Sequence, residues 1–334
     1  MKKINNNSIF SYLKASDNEM FSKLSIRDQN DIFMLLDKFY LILRDNLGLD
    51  DYITFGLELE HEHAKEKLIE ENLLKIGLLG NWDLGKDSSL NFGGELHTPI
   101  LRDKLESWEE LDKACKILRK YSKIGPNSGG HVHIGTQALG FEYKSWLKFL
   151  KIWAGYENII YRFSYGTFLS GRPNIDLYAE DIALYFKEVF EKFHDKDLTY
   201  RDITHELRYA SEYGVNLINV SSDSIFKEGN TIEFRCPNGT LDPVIWQNYV
   251  NLFTKLLLYC KSNDYNNNIV DERFNEVQGN SKMPYNKIYL EQALEFADLI
   301  FNNNIDKIYF LRQYLKSFES SEIPLKKAKK FIKN

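Results

Sequence analysis

Long apolar runs are missing from this chain. No stretch approaches the roughly 18 residues needed to cross a bilayer, so no transmembrane helix is expected. The basic start, Met1-Lys2-Lys3-Ile4-Asn5-Asn6-Asn7, is not followed by an apolar stretch of signal-peptide length. Cysteine is scarce. Cys115, Cys236 and Cys260 are odd in number, far apart and in no CxxC pair, which reads as free thiols in a reducing compartment. These absences predict a soluble, cytoplasmic protein. Positive charge is also thin: the formal net charge is −5, and no basic block exceeds the lysine-rich run Leu325–Lys333. A nucleic-acid partner, which would want a basic patch, is therefore not expected. With no second anchoring signal beside it, the lysine run reads as a solvated helix end rather than a membrane anchor. Neither GxxxxGK[ST] nor GxGxxG occurs, so any nucleotide would be held mainly through metals and arginine rather than by a glycine-rich cradle.

Apolar and aromatic side chains are plentiful. The 334 residues include 22 Phe and 20 Tyr, and 43% are hydrophobic, enough for a sizeable core in one large domain or a few smaller ones. Helical spacing is expected over about Asp17–Asn46, through Ile32–Leu36 and Phe39–Leu43. Residues 81–95 are turn-rich and predict two short strands around a loop. Ser107 with Glu110 resembles a capping box and predicts a helix to about Ser122. Further helices are expected over Phe141–Phe163, Ile182–Phe193, from Asp242-Pro243 to about Tyr259, and twice within residues 289–334. Gly214–Val220 is a candidate strand, and Asp264–Asn268 a polar surface loop. The expected layout is a helical N-terminal extension over 1–50, a core over 51–260 and a C-terminal helical segment over 261–334. Strands scattered among helices, without a regular βαβ repeat, predict an α+β fold.

Three runs share one pattern. Gly56-Leu57-Glu58-Leu59-Glu60, Gly130-His131-Val132-His133-Ile134 and Thr231-Ile232-Glu233-Phe234-Arg235 alternate apolar with polar residues, as half-buried strands do. Residues i and i+2 of a strand share a face, with Cα atoms roughly 6.5–7 Å apart. Leu57, Leu59, Val132, Ile134, Ile232 and Phe234 would point into a core. Glu58, Glu60, His131, His133, Glu233 and Arg235 would line the opposite face. Taken singly, each run has a plain structural explanation: solvated glutamates, a satisfied histidine pair, a cross-strand ion pair. His61 and His63 form a second His-x-His, but Glu62, Lys65, Glu66 and Lys67 around them read as a solvated face. Asp87 and Glu95, in the turn-rich segment, read alone as a turn residue and a surface charge, and Asp83 competes with Asp87 for any role. Together the set holds up to five carboxylates, two imidazoles and a guanidinium. Oxygen-rich ligation suits magnesium or manganese better than zinc, and the arginine suits a phosphate oxygen or a developing negative charge.

In order along the chain, Glu-Leu-Glu, Asp-Ser-Ser-Leu with Gly-Glu-Leu-His-Thr-Pro, Gly-Gly-His-Val-His-Ile-Gly, and Ile-Glu-Phe-Arg with Asn-Gly-Thr-Leu resemble the amidoligase family. That family belongs to the carboxylate–amine ligase superfamily of glutamine synthetase and glutamate–cysteine ligase. The resemblance covers roughly residues 52–260. It implies a glutamine-synthetase-like catalytic domain, a curved antiparallel sheet forming a funnel with helices on its outer face. It further implies one metal site of Glu60, Asp87 and Glu95 nearer the substrates. A second, of Glu58, His131 and Glu233, would lie nearer the ATP phosphates. His133 would stand beside those phosphates and Arg235 would contact the phosphate in transfer, with Glu60 and Glu95 also serving catalysis. Asn216, Arg208 and Arg172 fall where relatives place nucleotide or substrate contacts. Asp87 is shorter than the superfamily's usual glutamate. The implied activity joins a carboxylate and an amine, peptide or protein side chains included, using ATP and magnesium or manganese. Three rivals remain open at this point: a guanidino kinase on a related sheet, a zinc hydrolase built on His131 and His133, and a non-catalytic module binding nucleotide or glutamyl peptide.

Overall fold

The computed structural model describes residues 20–28, 36, 40–196, 198–207, 212–220, 229–277 and 285–316. Six strands form one sheet: β1 (Phe55–His61), β2 (Asp83–Lys86), β3 (Gly94–His97), β4 (Gly130–Gly135), β5 (Val215–Asn216) and β6 (Thr231–Phe234). They lie in the order β2-β3-β1-β4-β6-β5, with every neighbouring pair antiparallel. The helices are α1 (Glu66–Lys75), α2 (Leu105–Tyr121), α3 (Tyr143–Ser164), α4 (Ile175–Tyr178), α5 (Ala183–Phe193), α6 (Tyr200–Leu207), α7 (Pro243–Lys261), α8 (Asn267–Asn275), α9 (Leu290–Ile300) and α10 (Asn304–Leu315). Antiparallel strands interrupted by helices make this a mixed fold of the α+β kind. None of the described helices is long and apolar enough to cross a membrane.

Alternation decides the two faces. Phe55, Leu57, Leu59, Leu96, Val132, Ile134, Ile232 and Phe234 are buried, and aromatic side chains of the helices cover them. Phe55 stacks on Trp108 of α2 at 5.0 Å. Phe234 stacks on Phe253 of α7 at 4.1 Å and on Trp153 of α3 at 5.6 Å. Burying one such side chain stabilises the fold by about 1.5–3 kcal/mol, so this layer holds the sheet flat against α2, α3 and α7. The C-terminal pair packs on the same helical layer, with Phe310 of α10 stacked on Phe163 of α3 and Phe296 of α9 against Tyr156.

Several local expectations change. The helix α2 begins at Leu105, ahead of Ser107, and its N-cap Lys104 makes no side-chain cap bond. Asp103 does the anchoring there, accepting hydrogen bonds from the backbone N–H groups of Leu47 and Leu49 and from the Trp108 indole. Asp242 does cap α7, accepting from the Val244 N–H, with Pro243 in the first turn. The polar run at 264–268 is only partly loop: Asn266 caps α8 by accepting from the Ile269 N–H, and Tyr265 is buried. The strand expected over 214–220 pairs only at Val215 and Asn216, because the Asn216 side chain accepts from the Ile218 N–H and turns the chain away. Of the helix expected over 17–46, Phe21–Lys23 form a single 3-10 turn, residues 26–28 and 36 are helical, and residues 40–46 are non-helical. Arg44 ties this last stretch to α7 and α10, through backbone bonds with the Gln247 amide and a 2.6 Å ion pair with Asp306. Residues 17–19, 29–35 and 37–39 of the expected helix, and the lysine-rich run at 325–333, lie outside the described residues. All three cysteines are buried and free.

Candidate active site

Strand register builds the site. Glu58 stands opposite His131 on β4 and opposite His97 on β3. Glu60 stands opposite Glu95, and Glu233 opposite both His133 and Asn216. Directly opposed side chains have Cβ atoms about 4.5–5.5 Å apart, so the ladder alone lays a row of charged groups across four strands.

Two compact triads result. Glu58, His133 and Glu233 form one, with His133 where the resemblance implied His131, and Glu60, Asp87 and Glu95 the other; within each, one potential ligand atom per residue lies within 4.8 Å of the others. His131 sits between them. Its Nδ1 is 2.5 Å from Glu58 and 3.3 Å from Glu233, and its Nε2 is 3.5 Å from Glu60. His133, from the Glu-His-Glu side, is 2.9 Å from Glu58 through Nε2 and 3.2 Å from the Thr231 hydroxyl through Nδ1. Burial opposes the Glu58 charge, but hydrogen bonds from His131 and His133 outweigh it and hold the carboxyl far below the usual range. Glu233 is enclosed by donors: the Asn216 amide at 2.7 Å and Arg235 at 2.8 Å. Arg235 is fixed in turn by its Nε, which donates to the Tyr178 carbonyl at 3.0 Å.

The second triad has different supports. Glu60, only 7% exposed, accepts from the Gly129 N–H. Glu95 holds His97 at 2.9 Å and raises the imidazole's pKa, against the opposing effect of burial. Asp87 lies beyond the end of β2, in a turn closed by its own bond from the Ser89 N–H at 2.8 Å. Asp83 instead pairs across the sheet edge with His97. Buried Arg172 donates to the Pro237 carbonyl at 2.8 Å, and its guanidinium lies so close to Gly129 that a Cβ there would come within 2.8 Å of it. Beside the Glu58 and His133 side of the row opens a cavity of about 570 Å3, bounded by Tyr52, His97, Ile100, His133 and Thr231.

Two residues expected on a solvated face are not there. His61 is 1% exposed, on the helix-facing side, with Nδ1 against the Leu59 carbonyl; Glu62 is wholly buried. The strand alternation runs on past Glu60 and outweighs the local charge pattern at these two positions, while His63, Lys65, Glu66 and Lys67 are exposed. Continuing the Glu58, Glu60 spacing by one more step would have placed Glu62 on the site's face. Arg208 lies outside the described residues.

The donor set is hard. Five of the six triad members are carboxylates, the ligand chemistry of magnesium and manganese rather than of zinc. No curated protein matches the chain. A family model described as "Putative amidoligase enzyme" matches residues 53–257. This span runs from the start of β1 into the last turn of α7 and includes both triads, His131 and Arg235. It is more than half of the 334 residues, and the chain belongs to the amidoligase family.

Proposed function

We propose that this chain is an ATP-dependent carboxylate–amine ligase that uses magnesium or manganese and forms an amide bond through an acyl phosphate. The observation that carries the reading is the pair of adjoining acidic triads with His131 between them. In this reading the antiparallel sheet is one wall of a glutamine-synthetase-like funnel. Glu58, His133 and Glu233, with His131 beside them, would hold the cation nearer the nucleotide, and Glu60, Asp87 and Glu95 the cation nearer the acceptor. Bound divalent cations neutralise phosphate charge, which lets an anionic carboxylate approach. The cavity beside His133 and Thr231 receives the nucleotide.

The chain's own groups then have separable tasks. A substrate carboxylate oxygen attacks the γ-phosphorus, and the bond to the ADP oxygen breaks. Arg235, oriented by Glu233 and the Tyr178 carbonyl, faces the negative charge that builds on the transferred phosphate. The amine nitrogen next attacks the acyl carbon, the carbon–oxygen bond to phosphate breaks, and the nitrogen gives up its proton. The buried row around His131 restricts water, which would otherwise hydrolyse the acyl phosphate.

The direct test is release of ADP and phosphate. It is expected only when a carboxylate, an amine, ATP and a divalent cation are all present, with one amide formed per ADP. A stable phosphorylated guanidinium product would instead assign a kinase, and ATP-independent hydrolysis with tightly held zinc a hydrolase. Arg235→Ala should lower turnover about a thousandfold; full turnover by that variant would sink the assignment.

A further inference from the structure

We infer that Glu62, two residues beyond Glu60 on the same face, is a positioning residue that sets where Asp87 stands relative to Glu60. The inference rests on the reading above, that Glu60, Asp87 and Glu95 hold a divalent cation.

Glu62 is a wholly buried carboxylate. The exposed His63 ring stands 4.0 Å from it. Burying such a charge costs several kcal/mol unless donors surround it, and the donors come from two separate loops. Oε1 accepts from the Asn127 N–H at 2.9 Å, and Oε2 accepts from the Asn91 amide at 3.2 Å. The loops also touch each other, Asn127 Nδ2 donating to the Ser89 carbonyl at 3.4 Å. One loop delivers a member of the second triad and the other a support for another member. The 87–93 loop bears Asp87. The 125–129 turn bears the Gly129 N–H that donates to Glu60. The strand end is itself held, since the Glu62 N–H donates to the Lys123 carbonyl at 2.8 Å and the Lys123 N–H returns the bond at 2.9 Å. The fit leaves no slack: a Cβ on Gly125 would overlap the Glu62 carboxylate.

An acceptor on both oxygens is what the site requires. A glutamine at 62 would turn its NH2 toward one of two donors, so one loop would lose its tether. The reciprocal change, Asn91→Asp, turns that donor into an acceptor, which lets the glutamine NH2 bond to it while its carbonyl keeps the Asn127 N–H.

The experiment titrates manganese into the full chain, followed by electron paramagnetic resonance, in wild type, Glu62→Gln and the Glu62→Gln/Asn91→Asp pair. Amide hydrogen exchange is measured in parallel. For Glu62→Gln we expect the affinity of one of two manganese ions to fall about tenfold, with exchange quickening in at least one of the 87–93 and 125–129 segments. The paired variant should recover most of both. Wild-type manganese affinity in Glu62→Gln, or exchange that quickens in neither segment, overturns the inference, as does a paired variant no better than the single one. The ligase reading fails differently, by absence of amide-coupled ADP release in wild type. The exchange measurement still tests Glu62 in that event.

Discussion

The two triads match in size and differ in construction. Glu58, His133 and Glu233 come from three neighbouring strands, β1, β4 and β6, and ladder hydrogen bonds fix their spacing. Glu60 and Glu95 are ladder neighbours as well, but Asp87 reaches them from a loop. A sheet sets positions to a fraction of an ångström, whereas a loop is only as exact as its tethers. The first triad should therefore tolerate no substitution, and the second should be adjustable.

Substitution of each triad tests this difference. Glu233→Gln removes a carboxylate that Asn216 and Arg235 both grip. It should lower kcat/KM by about 10²–10³, the size of effect seen when a fixed charge-stabilising group is lost, and raised magnesium should not restore it. Asp87→Asn should lower kcat/KM by about 10- to 100-fold, largely recovered at high magnesium or manganese, because the tethered loop can still approach. Equal, unrecoverable losses in both variants would erase the distinction between ladder and loop.

The contrast also holds for single carboxylates. Glu58 is kept ionised by two imidazoles, despite burial. Glu157 of α3 lies in the helical layer, where burial pushes its carboxyl up to about 7, even though the Tyr285 hydroxyl and the Ile182 and Trp153 N–H groups donate to it. The folded state thus binds this proton more tightly than the unfolded chain, whose value is near 4.5. That stability is fully present below about pH 4.5 and is lost as pH rises through about 7, a change on the order of 3 kcal/mol. Glu58, with its lowered value, contributes in the opposite sense: its share is fully present above about pH 4.5 and is lost progressively as pH falls below that. Urea unfolding at pH 5 and pH 8 should show the Glu157 loss, and Glu157→Gln should flatten it. An unchanged slope in that variant would assign the pH dependence to other groups.

The sheet face was legible because a strand's period of two survives any surroundings: Glu58, Glu60, His131, His133 and Glu233 all fall where alternation puts them. His61 and Glu62 are hard to read because they adjoin a charged run, Lys65–Lys67, that is exposed, and the point where burial gives way to exposure leaves no local trace. The early start of α2 leaves no local signal for a different reason, since Asp103 takes its backbone N–H partners from residues 47 and 49 rather than from the first turn of α2. The meeting of Asp87 with Glu60 depends on loop path, which spacing does not encode; only the family resemblance implied it. The Glu62 tethers join segments up to 65 residues apart and have no motif of their own.

The segment around Arg172 and Tyr178 touches both halves of the row: Arg172 packs on Gly129, whose N–H reaches Glu60, while the Tyr178 carbonyl holds Arg235. A chimera that imports this stretch from a relative must therefore bring the guanidinium and the carbonyl as one cassette. Grafted piecemeal, it would disturb the supports of Glu60 and of Arg235 at the same time, and neither could be altered alone.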